Sequence, residues 1–184
     1  MIVRDNYALR RYRKEAVMSN NLFVAPYTPE QRETCAGLFQ KVYNMPPFAF
    51  AWLDGEKAKS YFWDLESIPN SLSFILMDGS MAVGACMGQK EEHFQNPGYK
   101  INEFFIEPEH QHLGLGAYFI NELENKLHEL GVKTMYLFTQ RNMYSFDFYL
   151  KNNFIVNDGT VHMAKVIRQE PTVVYTRTFV NSED

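Results

Sequence analysis

The chain has 184 residues, 46% hydrophobic and 15% aromatic, which is enough to bury a substantial core and too apolar for a disordered segment. Its net charge of −4 argues against a nucleic-acid surface as its main business, and no run of 18 apolar residues marks a membrane span. The two cysteines, Cys35 and Cys86, have no metal-ligand spacing around them and fit reduced thiols in a cytoplasmic protein better than a disulfide framework.

Residues 1–20 differ from the rest. Five bases (Arg4, Arg10, Arg11, Arg13, Lys14) stand against Asp5 and Glu15, and the segment lacks the apolar centre of a secretory signal. It reads as an N-terminal basic extension: a tether, an arm for an acidic partner, or a leader ahead of Met18. A single domain is expected over residues 21–184.

A short strand is expected from Asn21 to Pro26. Thr28-Pro29-Glu30-Gln31 then has a capping residue, a proline at the first helical position and a glutamine at capping-box spacing, so a helix starts there. Cys35, Leu38, Phe39 and Val42 share one face of it, and Pro46-Pro47 lies beyond its end. A second helix is expected between Asp54 and Leu65. Ser71–Met77 and Met81–Gly88 read as strands joined by the Asp78-Gly79 turn. A polar loop with Pro97-Gly98 leads to a third strand, Tyr99–Ile106, whose alternation places Tyr99, Ile101, Glu103 and Phe105 on one face. A long helix from Gly114 to Leu130 has Phe119, Leu123, Leu127 and Leu130 along one stripe and Gly131 as its stop. Thr134–Thr139 is nearly all apolar and suits a central strand buried on both faces. Ser145 starts a short helix through Lys151, and Asn153 stands where a left-handed cap is needed. Phe154–Val156, His162–Ile167 and Thr172–Val180 read as closing strands. The order places antiparallel hairpins before a late βαβ unit. This predicts a mixed α/β (α+β) fold with one central, mostly antiparallel sheet and flanking helices.

The glycine turn at Gly114 and Gly116 opens the long helix directly after a strand and loop. Such a helix mouth offers unpaired backbone N–H groups to an anion, and glycine lets the backbone close on a phosphate. A P-loop needs a lysine that is absent, and a dinucleotide fingerprint needs a glycine where Phe119 stands. Gln111-His112-Leu113-Gly114-Leu115-Gly116 resembles the Gln/Arg-x-x-Gly-x-Gly/Ala motif of the GNAT superfamily of acyl-CoA-dependent N-acyltransferases. Asn142 followed by Phe148-Tyr149-Leu150-Lys151-Asn152-Asn153-Phe154 is similar to its later motif, and Glu103–Glu109 to the strand and loop before the glycine turn. Two departures stand out: Gln111 replaces the commoner arginine, and Asn153 replaces the usual glycine before Phe154. Asparagine is the next-best residue for a left-handed backbone.

The resemblance implies a GNAT-like fold and transfer of an acetyl group from acetyl-CoA to a primary amine of a small molecule or protein. It implies a pyrophosphate site on backbone from Leu113 through Gly114, Leu115 and Gly116 to Ala117, with Gln111 and His112 leading into it. It implies a pantetheine path along exposed backbone at Phe105 and Ile106, where strands splay. Tyr149 is the implied general acid for the departing thiolate, against a tyrosine packed by its ring. Glu103 is the candidate general base, against a glutamate in a structural ion pair. Asn142 either orients the cofactor or caps the helix from Ser145. His110 and His112 lack a third partner for a metal, so no metal site is expected. Cys86 between Ala85 and Met87 reads as a core residue rather than a nucleophile. The aromatic loop from Met45 to Trp52 forms an acceptor wall or a plain hydrophobic cover, and the net negative charge suits a cationic acceptor. Thr172–Val180 adds a strand to its own sheet or pairs with a second copy in a homodimer. The rival from another class is an acyl-CoA-binding regulatory module without turnover.

Overall fold

The computed structural model describes residues 21–46, 48, 54–93 and 96–165. The basic extension and Thr172–Val180 lie outside the described residues. The chain divides into two compact units, Met1–Phe154 and Ile155–Asp184.

In the first unit, strand β1 (Leu22–Pro26) leads through a 3-10 turn, Pro29–Gln31, into helix α1 (Arg32–Tyr43). The Thr28 N–H donates to Gln31 Oε1 at 2.9 Å, the backward half of the expected capping box. Helix α2 (Gly55–Glu66) starts at Asp54, whose side chain accepts from the Lys57 N–H at 2.8 Å. Strands β2 (Phe74–Asp78) and β3 (Met81–His93) meet at Gly79, left-handed at φ 59° as the hairpin turn requires. Strand β4 (Asn96–Ile106) follows, then a 3-10 turn (Pro108–His110), helix α3 (Leu115–Glu129), strand β5 (Thr134–Tyr136) and helix α4 (Tyr144–Lys151).

The sheet order is β1-β2-β3-β4-β5, antiparallel except for the parallel β4–β5 pair. The expected mixed fold, one mostly antiparallel sheet with a late βαβ unit, is therefore present. Helices α1 and α2 pack one face through Cys35, Leu38, Phe39, Val42, Phe62 and Leu65, all buried. Helix α3 packs the other through Phe119, Leu123 and Leu127. Arg32 at the start of α1 pairs with Glu66 at the end of α2, tying the two helices together.

Several expectations are corrected. Asn102 is an extra residue in β4: Met87 faces Glu103 but Gly88 faces Ile101. A bulge shifts the alternation by one. Tyr99 and Ile101 pack with α3, whereas Phe105 packs with α1 and α2, so the four residues read onto one face are divided between two. Strand β4 begins at Asn96, so Pro97 and Gly98 are strand rather than loop. Leu130 is half-exposed, beyond the buried stripe of α3. Strand β5 has three residues, pairs only with Gly98–Lys100 and exposes Thr134 and Tyr136, so it is not a strand buried on both faces. In place of a strand at Phe154–Val156, Phe154 packs its ring on Tyr149 with centroids 5.2 Å apart. In the second unit, residues 155–165 form no helix or strand, which removes the described part of the expected strand from His162.

Candidate active site

The short β4–β5 pairing creates the site. Past Lys100 the chain after β5 leaves β4, and a groove of about 930 Å³ opens along the edge of Ile101–Ile106. Phe105 and Ile106 line it, as the splayed-strand expectation requires, together with Leu137 and Phe138 on the opposite bank.

One end of the groove is the mouth of α3. Gly114 stands before the helix at φ 79°, a left-handed conformation that a side chain would resist, and His112 is left-handed at φ 59°. Left-handed residues at alternate positions turn successive N–H groups to one side. Among the described residues, no backbone hydrogen bond is made by the N–H groups of residues 113–116, and the first turn of α3 has no acid. The Ala117 N–H, by contrast, donates to Gly114 O at 3.0 Å. Gly114, Gly116, Ala117, Gln111 and His112 line the groove. Leu113 and Leu115 contribute backbone only: Leu113 is exposed and Leu115 is buried in the core.

Two motif residues have other work. The Gln111 side chain donates Nε2 to Ile106 O at 2.9 Å and so braces the loop on the end of β4. A Cβ at Gly116 would lie 2.9 Å from Phe148 Cε2, so this glycine admits the ring of α4 against α3. The same loop is anchored by Glu107, a buried carboxylate that accepts from Lys41 Nζ of α1 at 2.8 Å and lies 3.0 Å from His110 Nδ1. His112 is exposed, and among the described residues no group of three His, Cys, Asp or Glu could hold a metal.

Glu103 and Tyr149 both line the groove. Glu103 is held by two hydroxyls that the sequence did not suggest. Tyr61 donates to Oε1 at 2.6 Å and Tyr43 to Oε2 at 2.8 Å. Burial pushes the Glu103 carboxyl up, while the Tyr61 and Tyr43 hydrogen bonds favour the ionised form and oppose it. A base that removes a proton from an ammonium benefits from this balance. The Tyr149 ring packs on Phe104, Phe148 and Phe154. Burial, with Cys86 and Glu103 nearby, pushes its hydroxyl well above the usual tyrosine range, so it stays protonated as a donor must. Tyr149 is thus packed by its ring and also lines the groove.

Other expected residues are placed elsewhere. Asn142 is exposed in the turn before α4 and outside the groove lining, and no side chain caps α4. The Ser145 hydroxyl instead lies 3.0 Å from that of Thr139. Asn153 adopts the left-handed conformation expected of it, φ 66°. Cys86 is fully buried, its thiol pushed up to about 12 by burial, which suits a core residue. Of the aromatic loop, Phe48 is described and its ring lies 4.7 Å from that of Tyr43; residues 47 and 49–53 lie outside the described residues.

A signal for Tyr43 and Tyr61 existed in part. Tyr43 follows Val42 on α1, but only the bulge at Asn102 turns Glu103 toward these helices.

The chain is similar to known proteins in family and fold. The profile described as the acetyltransferase (GNAT) family matches residues 39–154. Among solved structures, an aminoglycoside acetyltransferase from an uncultured soil metagenomic sample, solved in complex with sisomicin, superposes with a TM-score of 0.63 at 18% identity, over 82% of this chain and 99% of that one. A possible acetyltransferase from Clostridium difficile 630 gives a TM-score of 0.67 at 14% identity, over 81% and 100%. Glucosamine-6-phosphate N-acetyltransferase from Arabidopsis thaliana gives 0.56 at 12%, over 80% and 99%. No curated protein sequence matches the chain.

Proposed function

Because the chain belongs to the GNAT acetyltransferase family, we propose that it transfers an acetyl group from acetyl-CoA to a primary amine. The observation that carries this reading is one groove whose lining includes the mouth of α3, Glu103 and Tyr149. Acetyl-CoA supplies an activated thioester and two diphosphate charges. The free amides of residues 113–116, with no acid in the first helical turn, fit such an anion. The unpaired edge of β4 at Phe105 and Ile106 supports an extended pantetheine arm.

In this reading Glu103 takes one proton from the ammonium of the acceptor and passes it to solvent. The freed nitrogen lone pair attacks the thioester carbonyl. A carbon–nitrogen bond forms and the carbon–sulfur bond breaks. Tyr149 protonates the leaving thiolate, and the second proton that nitrogen loses as the amide forms restores Tyr149. The sum is ammonium plus thioester giving amide, thiol and one proton. Removing the acid should slow this by about 10²-fold, the lower range for a positioned proton donor.

Acetyl-CoA-dependent thiol release with a primary amine tests the reading. Turnover that falls about 10²-fold in Tyr149→Phe, with coenzyme binding retained, is the expected result. Coenzyme binding without thiol release from any amine would instead favour the regulatory module. Full turnover in Tyr149→Phe would remove the acid role.

A further inference from the structure

Part of the groove lining is aromatic. The Tyr43 and Phe48 rings lie 4.7 Å apart, and Tyr144 meets Phe48 edge-on at 6.1 Å. All three line the groove beside Glu103. The lining has one other acid, Asp147, and it is exposed on α4 with the exposed Lys151 one turn further on. Among the described residues, Glu103 is therefore the one partly buried carboxylate in this lining.

Its chemistry suits a single ammonium. A carboxylate has about four lone-pair sites. Tyr61 and Tyr43 occupy two, one on each oxygen, which fixes the group and leaves the others for an N–H donor. Aromatic faces beside that point attract a cation and pack against an apolar body. A second or third ammonium would enter an aromatic wall that has no further buried carboxylate among the described residues, a desolvation cost with no return. Acetylation removes the charge, so the product amide loses both the ion pair and the cation–π attraction and is released.

We propose that the acceptor is a monoamine with a flat apolar or aromatic body, its ammonium on Glu103 and its body against Tyr43, Phe48 and Tyr144. This rests on the acetyl-transfer reading and narrows it: polycations such as polyamines and aminoglycosides are poor substrates. The sisomicin bound to the soil-sample structure belongs to that protein, with which this chain shares a fold at 18% identity.

The test uses the full chain at fixed acetyl-CoA and measures kcat/KM for phenethylamine, butylamine, spermidine and kanamycin. Phenethylamine should exceed spermidine and kanamycin at least tenfold. In Phe48→Ala, the phenethylamine-to-butylamine ratio should fall at least fivefold, a comparison that a partly unfolded preparation cannot imitate because both amines see the same enzyme. Spermidine or kanamycin ahead of phenethylamine, or an unchanged ratio in the variant, overturns the acceptor assignment and leaves acetyl transfer standing. Coenzyme binding with no turnover of any amine overturns both.

Discussion

Glu103 rests against two phenols rather than a cation, and this choice has a kinetic signature. Arg or Lys beside it would hold it ionised at every working pH and make it a poor proton acceptor. Tyr61 and Tyr43 stabilise the carboxylate less, against burial that pushes it up. With Glu103 as the proposed base, the ionised form is the active one in the enzyme–substrate complex, so kcat is expected to fall as pH drops through the Glu103 pKa. Tyr61→Phe removes a donor that favours ionisation, so the pKa climbs and the falling limb moves up by about one pH unit, the worth of one hydrogen bond to a charged group. Glu103→Gln abolishes the limb and lowers kcat by about 10²-fold. A limb that stays in place in Tyr61→Phe would mean that the tyrosine only packs.

At the scale of elements, α4 is carried on α3 by the close approach at Gly116. Gly116→Ala sets a Cβ against the Phe148 ring and should destabilise the chain by about 1–3 kcal/mol, the usual cost of overpacking. A smaller ring-free residue in Phe148→Leu should recover part of that loss in the double variant, measured by denaturant unfolding; strictly additive losses would contradict the contact. The glycine was legible as a motif position, but its reason was not, because the neighbour it admits is some thirty positions away in the chain. The same distinction runs through the fold. Thr28, Pro29, Asp78-Gly79, Gly131 and Asn153 announce their turns and caps through local backbone chemistry, and the elements begin or end where they stand. The bulge at Asn102 and the three-residue length of β5 depend on what strands pair across the sheet. They decide which way Glu103 faces and where the groove opens, so Glu103 and Tyr149 could be offered as candidates from sequence while the two tyrosine hydroxyls on Glu103 could not.

Over the whole molecule, both cysteines report on core closure. Cys35 lies on the buried face of α1 and Cys86 between the sheet and α3, both fully buried, and burial pushes each thiol up to about 12. An aromatic disulfide reagent should find no rapidly reacting thiol in the native protein and two after guanidinium denaturation; a fast thiol in the native state would contradict the packing. The lining of one groove brings together the mouth of α3, Glu103 and Tyr149, and the proposed chemistry needs the first of these to hold the donor in place. Titration calorimetry with coenzyme A addresses that first link. The expected result is one-to-one, saturable heat with coenzyme A and at least tenfold weaker binding of pantetheine, which lacks the diphosphate. No heat with coenzyme A, or equal affinity for the two, would contradict the reading of the α3 mouth on which the function rests.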